Sequence, residues 1–148
     1  MKTWDGLAVS DEKPHGASVI VWRQGGSGRE FLILHRRHAG GIDFEGEWAW
    51  TPPSGARFPG EALEDAARRE LLEEAGLDLP FELSGVGSDD WAVFVAEAPP
   101  HARVVLDDEH DRFVWLPAAD AAAKCLPPLV GGTLLAVDEW LDQTARQA

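Results

Sequence analysis

The densest chemistry in the chain lies in one stretch: Gly55-Ala56-Arg57-Phe58-Pro59-Gly60-Glu61, seven further residues, then Arg69-Glu70-Leu71-Leu72-Glu73-Glu74-Ala75-Gly76-Leu77. Pro59-Gly60 before it and Gly76 after it bracket a helix predicted over Glu61 to Ala75. At about 100° per residue, Glu70, Glu73 and Glu74 fall within an arc roughly 100° wide, in line with the apolar positions Leu63, Ala66 and Ala67. Glu64, Asp65 and Arg68 point elsewhere, as ordinary solvated charges. Carboxylates held this close repel one another and raise each other's pKa. A hard divalent cation removes that repulsion, because Mg²⁺ and Mn²⁺ prefer oxygen ligands. Ions so held polarise a phosphoryl group and lower the pKa of an attacking water. Arg69, beside Glu70 and one turn before Glu73, is placed to orient the carboxylates. The plainer account is a solvated helix surface with routine ion pairs, but it leaves Gly55, Glu61 and Gly76 at fixed offsets unexplained.

Position by position the stretch resembles the Nudix signature: Gly, five residues, Glu, seven residues, Arg-Glu, an aliphatic, any residue, Glu-Glu, any residue, Gly, an aliphatic. Gly55, Glu61, Arg69, Glu70, Leu71, Glu73, Glu74, Gly76 and Leu77 fill every specified place. The resemblance implies an α/β/α sandwich with a mixed β-sheet, in which this segment is a loop–helix–loop. It implies hydrolysis of a nucleoside diphosphate linked to another moiety, of the NTP, dNTP or dinucleoside polyphosphate class, by water attack on phosphorus. Carried over, Glu70, Glu73 and Glu74 are metal ligands or the base, and Arg69 and Glu61 hold the loop–helix–loop together. By the same resemblance, the backbone carbonyl before Gly55, here that of Ser54, is expected to join the metal shell. Many members carry Gly-Gly where this chain has Ser54-Gly55, which leaves the backbone geometry there open. Two other readings remain: a non-catalytic Nudix module that binds or senses a nucleotide, and a diphosphate isomerase, for which Cys125 lies too far downstream.

Further candidates lie outside this stretch. The run Asp107-Asp108-Glu109-His110-Asp111 precedes Phe113-Val114-Trp115-Leu116 and resembles the Glu-His before a Trp-containing strand of several nucleotide-hydrolysing members. Glu109 is the favoured added carboxylate, and His110 the lesser candidate, as a base. Arg57 in the signature loop and Arg36-Arg37 after the second strand are candidates for phosphate contacts. Trp48, Trp50 and Trp91 are candidates for stacking on a base, with Trp91 preferred; core packing is the alternative fate of each.

These groups need a scaffold. Ser18 to Trp22 and Phe31 to Leu34 read as a hairpin around Gly25-Gly26-Ser27-Gly28. Glu47 to Trp50 is a short strand stopped by Pro52-Pro53. Phe81 to Leu83, Trp91 to Ala96, Ala102 to Leu106 and Phe113 to Leu116 read as further strands, followed by a short helix over Ala118 to Lys124. Thr133 is the expected cap of a last helix carrying Leu134, Val137 and Leu141. The order indicates a mixed α/β or α+β domain. Residues 1–14 are expected to be a loose polar segment, and 15–148 a single domain.

The 148 residues carry 26 acidic against 13 basic side chains, a formal net charge of −13. So acidic a chain has no general attraction for a nucleic-acid duplex or an anionic membrane, and a small phosphorylated molecule is the expected partner. A homodimer is compatible with the sequence but not dictated by it. Cys125, the single cysteine, reads as a small buried side chain. The N-terminal region has no apolar core of a signal peptide and no window has the length of a membrane span, so the expected location is the cytoplasm.

Overall fold

The computed structural model describes residues 8–37 and 44–147. Along the chain come β1 (Gly16–Gly25), β2 (Gly28–Arg36), β3 (Trp50–Thr51), β4 (Ser54–Ala56), α1 (Leu63–Ala75), β5 (Glu82–Gly87), β6 (Trp91–Glu97), β7 (His110–Pro117), α2 (Ala118–Lys124) and α3 (Pro128–Gln147). The central strands read as unbroken apolar runs because helices cover both of their faces. Ala17, Val19 and Val21 of β1, Leu32 and Leu34 of β2, and Phe94 of β6 pack under Ala67, Leu71 and Ala75 of α1. Their alternating neighbours Ile20, Phe31, Ile33, Val93 and Val95 pack on Ala121 of α2, Cys125, and Leu134 and Val137 of α3. This is the expected three-layer arrangement. No helix among the described residues is long and apolar enough to cross a membrane.

The sheet is mixed: β1 runs parallel to β6, and the other pairings are antiparallel. A split in it positions the site. β1 and β2 pair only near their hairpin, from Trp22↔Phe31 to Gly25↔Gly28. Farther out they separate, and the segment 50–56 fills the gap. There β3 pairs with Leu34 and His35 of β2, and β4 pairs with Gly16 to Ser18 of β1. Val19 N–H donates to the Pro53 carbonyl at 2.9 Å between them. The prolines stop β3 but do not end the sheet, and β4 beyond them has no pattern of its own to announce it.

Several expectations change, among them the strand expected over Glu47 to Trp50, which forms only at Trp50–Thr51 after a turn at Glu47 and Trp48. Helix α1 starts at Leu63 rather than Glu61, because the Glu61 carboxylate is engaged by the loop and by Arg69. Ala102 to Leu106 is extended but forms no ladder; Ala102, Val104 and Leu106 pack on the α1-side core, and Val105 N–H donates to Ala75 O at 2.8 Å. Helix α3 begins at Pro128, and Thr133, rather than capping it, donates its hydroxyl back to Leu129 O at 3.0 Å. Of the N-terminal segment expected to be loose, residues 8–14 include buried Val9 and Ser10, and Ser10 N–H donates to Arg57 O at 2.9 Å. Residues 1–7 lie outside the described residues, as do 38–43 of the loop after β2.

Candidate active site

Helix α1 buries Ala66, Ala67, Glu70, Leu71, Glu74 and Ala75 on one face, so two carboxylates enter the protein with the apolar stripe. The helix ends where Gly76 takes φ 67°, its N–H capping Leu71 and Leu72 carbonyls. Glu70 and Glu74, one turn apart, are only 8% and 7% exposed. Their carboxyls hydrogen-bond to each other, and Glu74 Oε1 also accepts the Ser54 N–H at 3.2 Å. Burial raises the pKa of both, and the shared hydrogen bond raises Glu74 further. The pair therefore holds a proton where isolated glutamates would not. Glu73 departs from the expected trio: its side chain is 57% exposed and lies 3.5 Å from Arg69 Nη1.

Arg69 ties the segment together. Its Nε and Nη2 donate to the two oxygens of Glu61, each at 2.9 Å, Nη1 donates to Glu70 at 2.7 Å, and Nη2 to Ala56 O at 3.0 Å. Glu61 also accepts Phe58 N–H at 3.0 Å, and the Phe58 ring covers the guanidinium at 4.1 Å. Hydrogen bonding to Arg69 holds the Glu61 carboxyl below the usual carboxylate range, and the same bonds raise the Arg69 pKa. The fork geometry suits Arg and not Lys.

In the acidic run before β7 the two candidates are placed differently. Glu109 is exposed, and its backbone carbonyl accepts Arg37 N–H at 2.7 Å. His110 instead is buried, with Nδ1 2.7 Å from Asp107 Oδ1 and Nε2 3.9 Å from Glu74 Oε1. That Nε2 has no hydrogen-bond partner among the described residues. The start of β7 is fixed beside it by buried His35, whose ring nitrogens lie 2.8 Å from Asp111 Oδ1 and 2.7 Å from Phe44 O.

A cavity of about 750 Å³ opens beside this cluster, at the split in the sheet. Its walls include Ser18, Arg36, Trp48, Ser54, Gly55, Trp91 and, from α3, Leu129 and Thr133; among the described residues, Arg36 is the only charged one lining it. Trp91 lies over Gly16, where a Cβ would stand 2.5 Å from its ring, and donates Nε1–H to Ser18 Oγ at 3.0 Å. Ser18 in turn donates to Ser54 Oγ at 3.1 Å, and Ser54 to Pro52 O at 2.7 Å. Trp48, half-exposed at the cavity, is the one non-glycine among the described residues with positive φ, 66°. Ser54 is therefore free of the backbone demand raised by its departure from Gly-Gly. Arg57 is placed away from the cavity: it is buried, with Nη2 3.5 Å from Glu12 and Nη1 3.5 Å from Glu61 O. Arg37 is exposed and donates to Asp108 O at 2.9 Å, and Trp50 is buried against His35. Of the arginines outside the helix, only Arg36 lines the cavity.

The NUDIX domain model matches residues 13–133. The chain belongs to the Nudix family. An octanoyltransferase of Myxococcus xanthus is 31% identical over 121 residues, covering 72% of this chain and 31% of that protein. An RNA pyrophosphohydrolase of Rhodopseudomonas palustris is 37% identical over 67 residues, 45% of this chain and 39% of that protein. The matches thus span between 31% and 39% of the length of these curated relatives. In three dimensions, a C. elegans Ap4A hydrolase in a binary complex superposes with a TM-score of 0.70 at 24% identity, covering 86% of this chain and 97% of that one. That likeness is one of fold. It agrees with the three layers and mixed sheet of this Nudix domain.

Nudix hydrolases generally use divalent metals, and the donors here suit one. Burial raises the pKa of both Glu70 and Glu74, so a bound cation would compete with a proton there, and the unpartnered His110 Nε2 lies 3.9 Å from Glu74 Oε1. Among the described residues, no group of three or more His, Cys, Asp or Glu side chains is gathered to enclose an ion, since Glu73 is turned outward. Sequence reasoning passed over Asp107, Ser18 and Ser54 Oγ. The Asp107–His110 spacing of three was the only available signal; the Ser18–Ser54 contact spans the sheet and has no local trace.

Proposed function

We propose that this Nudix domain hydrolyses a diphosphate bond in a nucleoside diphosphate linked to another moiety, with Mg²⁺ or Mn²⁺ as cofactor. The observation that carries the reading is the buried Glu70–Glu74 pair opening beside a cavity walled by Trp48, Trp91 and Arg36. Glu70, Glu73 and Glu74, with the Ser54 carbonyl, are the residues to hold the ions. Bound there, divalent ions supply Lewis-acid activation of the phosphoryl group and a more acidic water. Arg69 and Glu61 fix the loop over α1, and Arg36 meets substrate charge at the cavity wall. Trp91, held by Ser18, offers an aromatic face to a base. Small substrates fit the formal net charge of −13 better than polymeric nucleic acid. The test is incubation with Mg²⁺ or Mn²⁺ and a panel of NTPs, dNTPs, dinucleoside polyphosphates and nucleoside diphosphate sugars, read by product chromatography. Turnover of at least one is expected; failure to cleave any would sink the reading.

A further inference from the structure

We propose that His110 is a nitrogen ligand of the metal site, which therefore takes a divalent transition-metal ion such as Mn²⁺ in preference to Mg²⁺. The ring is 3% exposed, and its Nδ1 lies 2.7 Å from Asp107 Oδ1. A carboxylate at Nδ1 favours the tautomer that keeps its proton there and leaves Nε2 to face a ligand. That Nε2 has no hydrogen-bond partner among the described residues, a costly state for a buried polar atom. Its separation of 3.9 Å from Glu74 Oε1 is too long for a hydrogen bond. It does suit two donors of one cation, since ligand atoms each about 2.1 Å from an ion stand at most about 4.2 Å apart.

The surroundings match this role. A ligating imidazole characteristically donates its other N–H to a carboxylate, which fixes the tautomer and raises the basicity of the ligating nitrogen. Asp107 stands in that place, and His35–Asp111 pins the adjoining start of β7. Glu109, next to His110 in the chain, is exposed. Mg²⁺ and Mn²⁺ both favour oxygen ligands, but Mn²⁺, as a first-row transition ion, accepts an imidazole nitrogen more readily than Mg²⁺, so a nitrogen in the donor set shifts the balance toward Mn²⁺.

The proposal rests on the metal-dependent reading of the same glutamates, and Mn²⁺ spectroscopy separates the two without turnover. With ¹⁵N-histidine-labelled protein and Mn²⁺ alone, electron spin-echo modulation should show a directly bound nitrogen. His110→Gln should abolish it and weaken Mn²⁺ binding about tenfold or more, with a smaller change for Mg²⁺. Asp107→Asn retains the imidazole and should weaken Mn²⁺ binding in the same direction, which tests the role of His110 even if His110→Gln folds poorly. Bound Mn²⁺ with only oxygen ligands in the wild type, or a nitrogen signal persisting in His110→Gln, would overturn the role of His110 alone. No Mn²⁺ binding at all would overturn both this role and the metal-dependent function.

Discussion

Gly55 passes directly beneath the carboxylate of Glu70: a Cβ at that position would stand 2.2 Å from the Glu70 carboxyl carbon. Gly55 is not among the glycines with positive φ, so the requirement is one of space and not of backbone conformation. A methyl group there must push Glu70 off its bond to Arg69 and away from Glu74. Gly55→Ala is expected to lower turnover about a hundredfold, the scale of a 1 Å misplacement in an active site. Steady-state kinetics on the substrate found by screening checks it; wild-type kcat in a folded variant would show that Glu70 tolerates displacement.

Arg69→Lys tests the fork that joins Glu61, Glu70 and Ala56 O. A single ammonium cannot reproduce the two parallel 2.9 Å bonds to Glu61 while reaching Glu70. The partners are mostly buried, so we expect a loss of about 2 kcal/mol of stability, the scale of a hydrogen bond to a charged group. Urea unfolding measures this, and a midpoint equal to wild type would mean that Lys satisfies the same network.

The Glu70–Glu74 pair sets a pH dependence. Both groups have folded pKa values above the ordinary 4.5, so the folded protein binds more protons than the unfolded chain above that pH. Stability from the pair is complete below 4.5 and is lost as pH rises through the folded values. Glu61 works in the opposite sense: its depressed pKa gives stability above 4.5 that is lost on acidification. Metal-free protein should therefore melt highest in mild acid and decline toward neutral pH, by at most about 1.4 kcal/mol per proton per pH unit. Saturating Mn²⁺ should remove the decline, and Glu74→Gln should flatten it while abolishing turnover. Thermal melts across pH with and without chelator decide this; a metal-free melting temperature rising steadily from pH 5 to 8 would contradict it.

Glu73 separates chemistry from stability. With its side chain 57% exposed, Glu73→Gln should leave stability within about 0.5 kcal/mol of wild type. As a metal ligand it should still lose turnover by orders of magnitude. Wild-type rates in this variant would remove Glu73 from the ligand set.

The covered strands and α1 were legible from local periods and their flanking turns, and the Arg69–Glu61–Glu70 relation from the resemblance to the Nudix signature. What escaped depends on contacts distant in sequence. The three-glutamate arc treats the helix as an isolated cylinder, yet the loop at Ser54-Gly55 covers only Glu70 and Glu74 and leaves Glu73 to solvent. Likewise Glu109 and His110 are adjacent in sequence, and only the register of β7 against β2 determines which one turns inward. Cys125 was legible as buried, and burial pushes its thiol up to about 12, which makes it inert to thiol reagents in the folded state.

Ser54, the departure from Gly-Gly, links the cavity wall to the carboxylate pair through its hydroxyl and its backbone N–H. Trp91 Nε1–H can only donate and the Pro52 carbonyl can only accept, so the two hydroxyls between them are ordered in one direction, from Trp91 through Ser18 and Ser54 to Pro52. The backbone N–H of Ser54 meanwhile holds Glu74. The cavity wall and the carboxylate pair are therefore joined through one residue. Trp91→Phe keeps an aromatic face but has no donor for Ser18, and Ser54→Gly removes the middle of the chain without touching Trp91. Both should raise KM by about tenfold, one hydrogen bond's worth, with a smaller change in kcat. The double variant should cost less than the product of the two, because each breaks the same chain. Independent effects that multiply fully would show that Trp91 and Ser54 act separately, and that the cavity wall is set by packing over Gly16 alone.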